Sequence, residues 1–248
     1  MKVMHRHDLV WLNKEGWAAV EKTAAAVQIS SAEQRHTNVE RPDVRCRTLN
    51  EFFRSGANFV QPPLCWRDRD LPLIVGQQNV DMDEGMVLLG LPLPPAEGKR
   101  RLSLIVEADH IKKIERPPLL LDTTGCAPKD WHATIEKLLG CTPSFRVFGS
   151  LAWQYLTGFQ YLSATSDLDL CFDINGLEHQ LPQLLNALNE VGKDAPMVID
   201  CELISTAGGV QCRELEQKPA RQLLVKTLKG VRLIDYAEWI GSEDATRL

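Results

Sequence analysis

The clearest alternation of hydrophobic and polar positions along the chain falls on residues 167–174. Its apolar positions are Leu168, Leu170, Phe172 and Ile174, and the intervening positions are Asp167, Asp169, Cys171 and Asp173. A period of two places successive side chains on opposite faces of a strand. The pattern therefore predicts a strand over 168–174 that buries one face and presents carboxylates on the other.

Helical spacing follows directly after Asn175-Gly176. The apolar positions at this spacing are Leu177, Leu181, Leu184, Leu185, Leu188 and Val191. They predict an amphipathic helix that ends at Gly192. Two more helices are predicted upstream, over 131–139 before Gly140 and over 151–156 before Gly158.

Short apolar runs between turn residues predict further strands in the second half of the chain. These runs are Phe145–Phe148, Met197–Ile204, Val210–Leu215, Leu223–Thr227 and Val231–Ile234. Gly208-Gly209 and Lys229-Gly230 are typical of hairpin turns. Strands and helices in this order predict an α+β fold, with a mixed sheet flanked by helices.

The first half of the chain has weaker patterns. A helix over 18–27 and strands over 71–75, 86–93 and 101–106 are predicted, while 40–70 is expected to be irregular. Pro117-Pro118 and the residues 122–126 are typical of a linker. We therefore predict an N-terminal mixed α/β domain over 1–125 and a catalytic domain over 126–248. The expected role of the first domain is to dock the carrier protein or the substrate.

Composition restricts the classes of partner. The chain has 248 residues, enough for a substantial core, and its net charge of -5 does not favour nucleic acid or an anionic membrane as a partner. The seven cysteines include no Cys-x-x-Cys pair, which argues against a zinc site or a disulfide framework. No apolar run approaches the roughly 20 residues of a membrane span, and the charged N-terminus is unlike a signal peptide. A cytoplasmic protein is expected.

Candidate chemistry lies on the acidic face of the predicted strand. Asp167 and Asp169 are expected to point the same way, since side chains two residues apart share a face. Such carboxylates repel each other unless a cation lies between them, and oxygen ligands suit magnesium. Asp200 and Glu202 are the candidates for a third carboxylate. We therefore expect a magnesium site for in-line displacement at phosphorus.

Gly149-Ser150 stands between a predicted strand and a predicted helix. Glycine lets the backbone approach a phosphate closely, and the N-terminus of a helix offers unpaired N–H groups to it. The Ser150 hydroxyl can donate to a phosphate oxygen, and Arg146 adds a positive charge nearby. Together with the acidic strands, this arrangement predicts a nucleotidyltransferase site.

These residues also resemble a known family. The block 146–158 (Arg-Val-Phe-Gly-Ser-Leu-Ala-Trp-Gln-Tyr-Leu-Thr-Gly), with Tyr161-Leu162 and Ser166–Leu170, is similar to the phosphoribosyl-dephospho-CoA transferases of malonate decarboxylase. Supporting matches are His7–Leu12, Leu71–Val75, Leu89–Leu93, Pro117-Pro118, Ile199–Leu203, Arg213–Leu215, Val225-Lys226 and Gly230-Val231. This family belongs to the DNA polymerase β-like nucleotidyltransferase superfamily.

The resemblance implies a specific reaction. The donor would be 2'-(5''-triphosphoribosyl)-3'-dephospho-CoA, the acceptor a serine of the malonate decarboxylase acyl carrier subunit, and the leaving group pyrophosphate. Asp167 and Asp169 would hold magnesium, and Gly149 and Ser150 would cradle the triphosphate.

Further roles follow from the same resemblance. Asp200, with Glu202 as the second choice, would help to deprotonate the serine or complete a second metal site, and Lys226 would neutralise triphosphate charge. An exposed strand lysine is an equally good interpretation of Lys226. The residues 158–166 form a longer connection than is usual in the superfamily and are expected to contribute to the donor pocket, whereas 28–70 match nothing. Trp153 is expected to pack in the core.

Other functions compete with this interpretation. A related enzyme with another acceptor, such as the citrate lyase carrier, an aminoglycoside or an RNA end, would use the same fold, although an RNA substrate predicts a basic surface. A non-catalytic nucleotide-binding module would keep the fold but commonly loses carboxylates. A metal site on His5 and His7 is discounted, because no third ligand is evident.

Overall fold

The computed structural model describes residues 4–22, 62–78, 82–97, 101–216 and 222–241. Within it the chain divides into two compact units, Met1–Arg116 and Pro117–Leu248. The division falls at Pro117-Pro118, ahead of the boundary expected near residue 125. The predicted irregular segment 40–70 lies outside the described residues up to residue 61.

The first unit is built on one antiparallel sheet. Its strands are β1 (Leu9–Leu12), β2 (Leu73–Val75), β3 (Met86–Pro92), β4 (Arg101–Glu107) and β5 (Ile111–Glu115), in the order β4-β3-β2-β1-β5. Residues 14–22 lie in helix α1, and Pro62–Asp68 form helix α2. Strand β4 alternates buried and exposed residues, as a sheet with one face in the core requires.

The second unit contains a six-stranded sheet. Its strands are β6 (Arg146–Val147), β7 (Leu168–Asp173), β8 (Ile199–Ser205), β9 (Gly208–Gln211), β10 (Gln222–Lys226) and β11 (Val231–Asp235), in the order β11-β10-β9-β8-β7-β6. Strands β7 and β8 run parallel, whereas the other neighbours are antiparallel. The predicted α+β class with a mixed sheet is confirmed.

Helices cover one face of this sheet. They are α3 (Leu120–Thr123), α4 (His132–Cys141), α5 (Gly149–Thr157), α6 (Leu181–Lys193), α7 (Cys212–Glu216) and α8 (Tyr236–Ile240). Short 3-10 turns span Pro95–Glu97, Ala108–His110, Thr124–Cys126, Lys129–Trp131 and Glu178–Gln180. Core residues from the sheet include Leu168, Leu170 and Leu203, which pack with Leu184 and Leu188 of α6. The predicted strand is confirmed over Leu168–Asp173, but Cys171, which was placed on the acidic face, is buried.

The predicted linker over 122–126 is wrong. Leu120 is fully buried in the core of the second unit, and its backbone N–H donates to Phe145 O at 2.8 Å. Leu120 is the first residue of helix α3, in which the Thr123 hydroxyl donates to Leu120 O at 2.9 Å. Thr and Asp suggested a loop, but burial of Leu120 orders the segment.

Of the three glycines that were predicted to end helices, one does so. Gly158 ends α5 with a φ of 71°, as predicted. Helices α4 and α6 instead continue through Gly140 and Gly192, where a side chain would meet open space. A glycine ends a helix only where the backbone turns left-handed.

Other boundaries also differ from the predictions. The predicted strand Val210–Leu215 is wrong beyond Gln211, because helix α7 begins at Cys212. Strands β1 and β5 and helices α2 and α8 were not predicted, since each has at most seven residues and too few positions to establish a pattern. The predicted helix over 18–27 is helical to residue 22, and the remainder lies outside the described residues.

Candidate active site

A close contact joins Gly149 to Asp169. Strand β6 leads into Phe148, whose N–H donates to Asp169 O at 3.0 Å. Gly149 then adopts a φ of 67° at the start of α5, and a Cβ there would collide with the Asp169 carboxylate. Both the positive φ and the lack of space require glycine. The N-terminus of α5 is therefore held directly beside Asp169.

Asp169 and Asp200 are direct neighbours. They are register partners in the parallel pair β7–β8, so their side chains leave the same face of adjacent strands, about 4.8 Å apart. Both are half-buried, while Asp167, two residues earlier, is exposed. The two strands thus bring together carboxylates that lie far apart in sequence.

Asp200 pairs with Arg213, a residue that the sequence analysis did not select. The guanidinium of Arg213 donates to Asp200 Oδ1, and its side chain remains 65% exposed. A strand through Leu215 was predicted here, whereas Arg213 lies in helix α7. The charged run Arg213-Glu214 was the available signal for an end to the strand.

Glu202 lies in a different environment from Asp200. Its side chain is 1% exposed, and Lys226 Nζ lies 3.9 Å from Glu202 Oε2. A Cβ on Gly209 would collide with this carboxylate, so the backbone of β9 packs directly on it. With its nitrogen towards Cys201 O at 3.1 Å, the Gln211 amide presents its oxygen to Lys226 Nζ at 3.2 Å. Register places Glu202 beside Cys171 rather than Asp169, which makes Asp200 the better third carboxylate.

The other predicted binding residues, Ser150, Arg146 and Lys226, differ in whether they lie near Asp169 and Asp200. Ser150 is the second residue of α5 and half-buried, close to the Gly149–Asp169 contact. Arg146 Nη1 donates to Pro117 O at 2.6 Å, so this guanidinium ties β6 to the start of the unit. Lys226 is held by Glu202. Of these three, Ser150 is the one that the structure places at the acidic group.

Cysteine chemistry does not contribute to this site. A hydrogen bond with Cys212 and complete burial raise the pKa of the Cys201 thiol well above its ordinary value. The thiol therefore stays protonated, which disfavours metal ligation. Trp153 is 4% exposed and packs on Tyr161, with ring centroids 6.5 Å apart, so its expected core role is confirmed.

Across the described ranges, no three His, Cys, Asp or Glu side chains gather into a metal-binding group. Asp200 faces Arg213, and Asp167 is at the exposed end of the strand. Magnesium is commonly held by one or two carboxylates together with phosphate oxygens of a substrate. The adjacent Asp169 and Asp200 would suit that kind of ligation, in which substrate phosphate oxygens supply the remaining ligands.

Comparison with known proteins identifies the family of this chain. The model for the Phosphoribosyl-dephospho-CoA transferase MdcG N-terminal domain matches residues 5–117, and the model for its C-terminal domain matches residues 119–237. A phosphoribosyl-dephospho-CoA transferase of Bradyrhizobium diazoefficiens is 32% identical over 95% of this chain and 92% of that relative. The chain belongs to the phosphoribosyl-dephospho-CoA transferase family.

Further members of the family match over nearly their full length. The transferase of Xanthomonas euvesicatoria is 35% identical over 94% of both chains, and that of Xanthomonas axonopodis is 31% identical over 97% of this chain and 98% of the relative. No solved structure matches the chain. Among the helices in the described ranges, none has the length and apolar character to span a membrane.

Proposed function

We propose that the chain transfers the phosphoribosyl-dephospho-CoA group from 2'-(5''-triphosphoribosyl)-3'-dephospho-CoA to a serine of the malonate decarboxylase acyl carrier subunit. The serine Oγ forms a bond to the α-phosphorus of the donor. The bond between that phosphorus and its bridging oxygen to the β-phosphate breaks, and pyrophosphate leaves. The family supports this choice of reaction.

The start of α5 is the proposed cradle for the triphosphate. Unpaired N–H groups at a helix N-terminus bind phosphate, and the Ser150 hydroxyl can donate to an oxygen of the same group. Since Gly149 lies against Asp169, a phosphate bound at the helix is placed beside the carboxylates. Positioning of this kind accounts for much of the rate enhancement in phosphoryl transfer.

The carboxylates are proposed to hold magnesium and to remove the serine proton. Magnesium, when bound, neutralises the phosphate oxygens and stabilises the leaving pyrophosphate. Asp169 and Asp200 are the adjacent ligands, with Asp167 as the outer one. Asp200 lies on β8 away from the Gly149 contact and is the proposed proton acceptor. Arg213 supplies positive charge beside Asp200, whereas Lys226 is held by Glu202.

The observation that carries the proposal is the register of β7 and β8, which sets Asp169 beside Asp200 while Gly149 closes on Asp169. The test combines the purified chain, the triphosphoribosyl donor, magnesium and the apo acyl carrier subunit. Intact-protein mass should show one added group on the carrier, and EDTA should prevent it.

The acceptor is tested in parallel. The apo citrate lyase carrier, offered under the same conditions, should gain mass at least about tenfold more slowly. Equal rates would contradict the proposed acceptor but preserve the reaction. No modification of either carrier, with the donor intact, would overturn the proposed reaction.

A further inference from the structure

A cleft of about 530 Å³ opens beside Asp167 in the second unit. Its walls come from the connection between α5 and β7, from the turn before α4, and from the residues that precede β8. Trp131, Leu162 and Val198 supply apolar surface, while Asp130 and Thr165 supply polar groups. The lining therefore mixes apolar surface with several hydrogen-bonding groups, which suits a small organic ligand that has both apolar and polar parts.

Gln154 fixes the wall of this cleft. Its Nε2 donates to Cys126 O at 2.8 Å, and its Oε1 accepts from the N–H groups of Tyr161 and Leu162, both at 3.1 Å. The Ser166 hydroxyl accepts from Ser163 N–H at 2.9 Å. The connection between α5 and β7 is therefore organised before any ligand binds, which lowers the entropic cost of binding.

The cleft is also next to the acidic group. Asp167 lies in its wall, and the following residue, Leu168, donates from its N–H to Val198 O at 2.9 Å, which joins two walls. Asp167 and Asp169 are about 7 Å apart along the strand. A ligand group in the cleft is thus about one sugar unit from a phosphorus bound at Asp169.

We infer that this cleft binds the adenosine part of the donor, an inference that rests on the proposed function. In this donor the triphosphorylated ribose is attached to the 2' position of that adenosine, so one sugar separates the nucleoside from the reacting phosphate. Val198, which is 58% exposed, offers apolar surface to the purine, beside the largely buried Trp131 and Leu162. Asp130 and Thr165 offer hydrogen-bond partners to its polar edge.

Binding of dephospho-CoA, which lacks the triphosphate, tests the cleft without catalysis. Isothermal titration calorimetry is done in EDTA with the wild-type chain and two variants. Ala164→Trp fills the cleft from an exposed wall position. Ala133→Trp, on the exposed side of α4 outside the cleft, is the control. The wild type and Ala133→Trp should bind alike, and Ala164→Trp should bind at least about tenfold more weakly. Thr165→Trp serves as a second filling variant.

Two results would overturn the inference. One is equal affinity of the wild type and both filling variants; the other is no binding of millimolar dephospho-CoA to the wild type. AMP and 4'-phosphopantetheine are titrated as fragments, and AMP should be the fragment whose binding Ala164→Trp weakens. If carrier modification fails while dephospho-CoA binding shows this pattern, the proposed reaction is wrong and the nucleoside site stands.

Discussion

Two acidic positions in the second unit are packed in the same way but lie in different surroundings. Asp169 lies under Gly149, and Glu202 lies under Gly209; in both places a Cβ on the glycine would collide with the carboxylate. Asp169 is half-buried beside a second carboxylate, whereas Glu202 is 1% exposed and paired with Lys226. Close packing of a glycine on an acid therefore does not mark a reactive group. Under the proposed function, the accessible position beside a second carboxylate is the reactive one.

The largest expected effect is on Asp169. Asp169→Asn should lower the rate of carrier modification by about 10³-fold, because it removes a charge beside the reacting phosphate. Thermal unfolding should shift little, since the amide has the same shape and one repulsion is relieved. A rate within tenfold of the wild type, measured by intact-protein mass, would remove Asp169 from the chemistry.

Gly149→Ala should harm both fold and activity. The substitution combines a φ of 67° with a collision against Asp169, and we expect a loss of about 1–3 kcal/mol in the free energy of unfolding with a rate at least about 100-fold lower. Gly176→Ala is the matched control, since its φ is 76° and open space surrounds it. The control should lose about 1 kcal/mol and keep its rate. Equal effects of the two variants in urea unfolding and transfer would contradict the contact.

Lys226→Met tests the buried pair of Lys226 and Glu202. It leaves Glu202 buried without its cation, and urea unfolding should show a loss of about 1–3 kcal/mol. Arg232→Met breaks an exposed pair with Glu238 and should change stability by less than about 0.5 kcal/mol. A raised KM for the donor, with unchanged stability, would instead assign Lys226 to the triphosphate.

The smallest effect is expected for Arg213. Arg213→Gln frees Asp200 from an exposed ion pair, so stability should change by less than about 0.5 kcal/mol. Because the guanidinium competes with a cation for Asp200, calorimetric titration with Mn²⁺ should show affinity that is about two- to fivefold tighter. Weaker Mn²⁺ binding would mean that Arg213 orients Asp200 for the metal.

Local patterns explain which parts of this site were predictable. The period-two alternation of 167–174 predicted β7 and its acidic face, and Gly149-Ser150 between a strand and a helix predicted the start of α5. The pairing of Asp169 with Asp200 was not readable, because parallel register depends on contacts between distant segments. Asp200 and Glu202 are equivalent in sequence and differ only through their neighbours.

The features that the sequence did not predict also depend on contacts between distant segments. Helix α7 interrupts what resembled a strand, and the ion pair of its Arg213 with Asp200 joins segments that no local pattern connects. The role of Gln154 depends on two backbone segments that no local pattern joins. Likewise, the proline pair marked the division of the chain more closely than the polar segment after it, since Leu120 is buried in the second unit.

We propose that Asp200 belongs to the reacting group, whereas Glu202 stabilises the fold. The direct measurement is the transfer rate per folded molecule, with urea unfolding, for Asp200→Asn and Glu202→Gln prepared side by side. We predict that Asp200→Asn loses at least about 100-fold in rate with little change in stability, and that Glu202→Gln loses about 1–3 kcal/mol of stability with a rate within about threefold of the wild type. A Glu202→Gln variant that is stable and inactive, beside an active Asp200→Asn variant, would contradict this account.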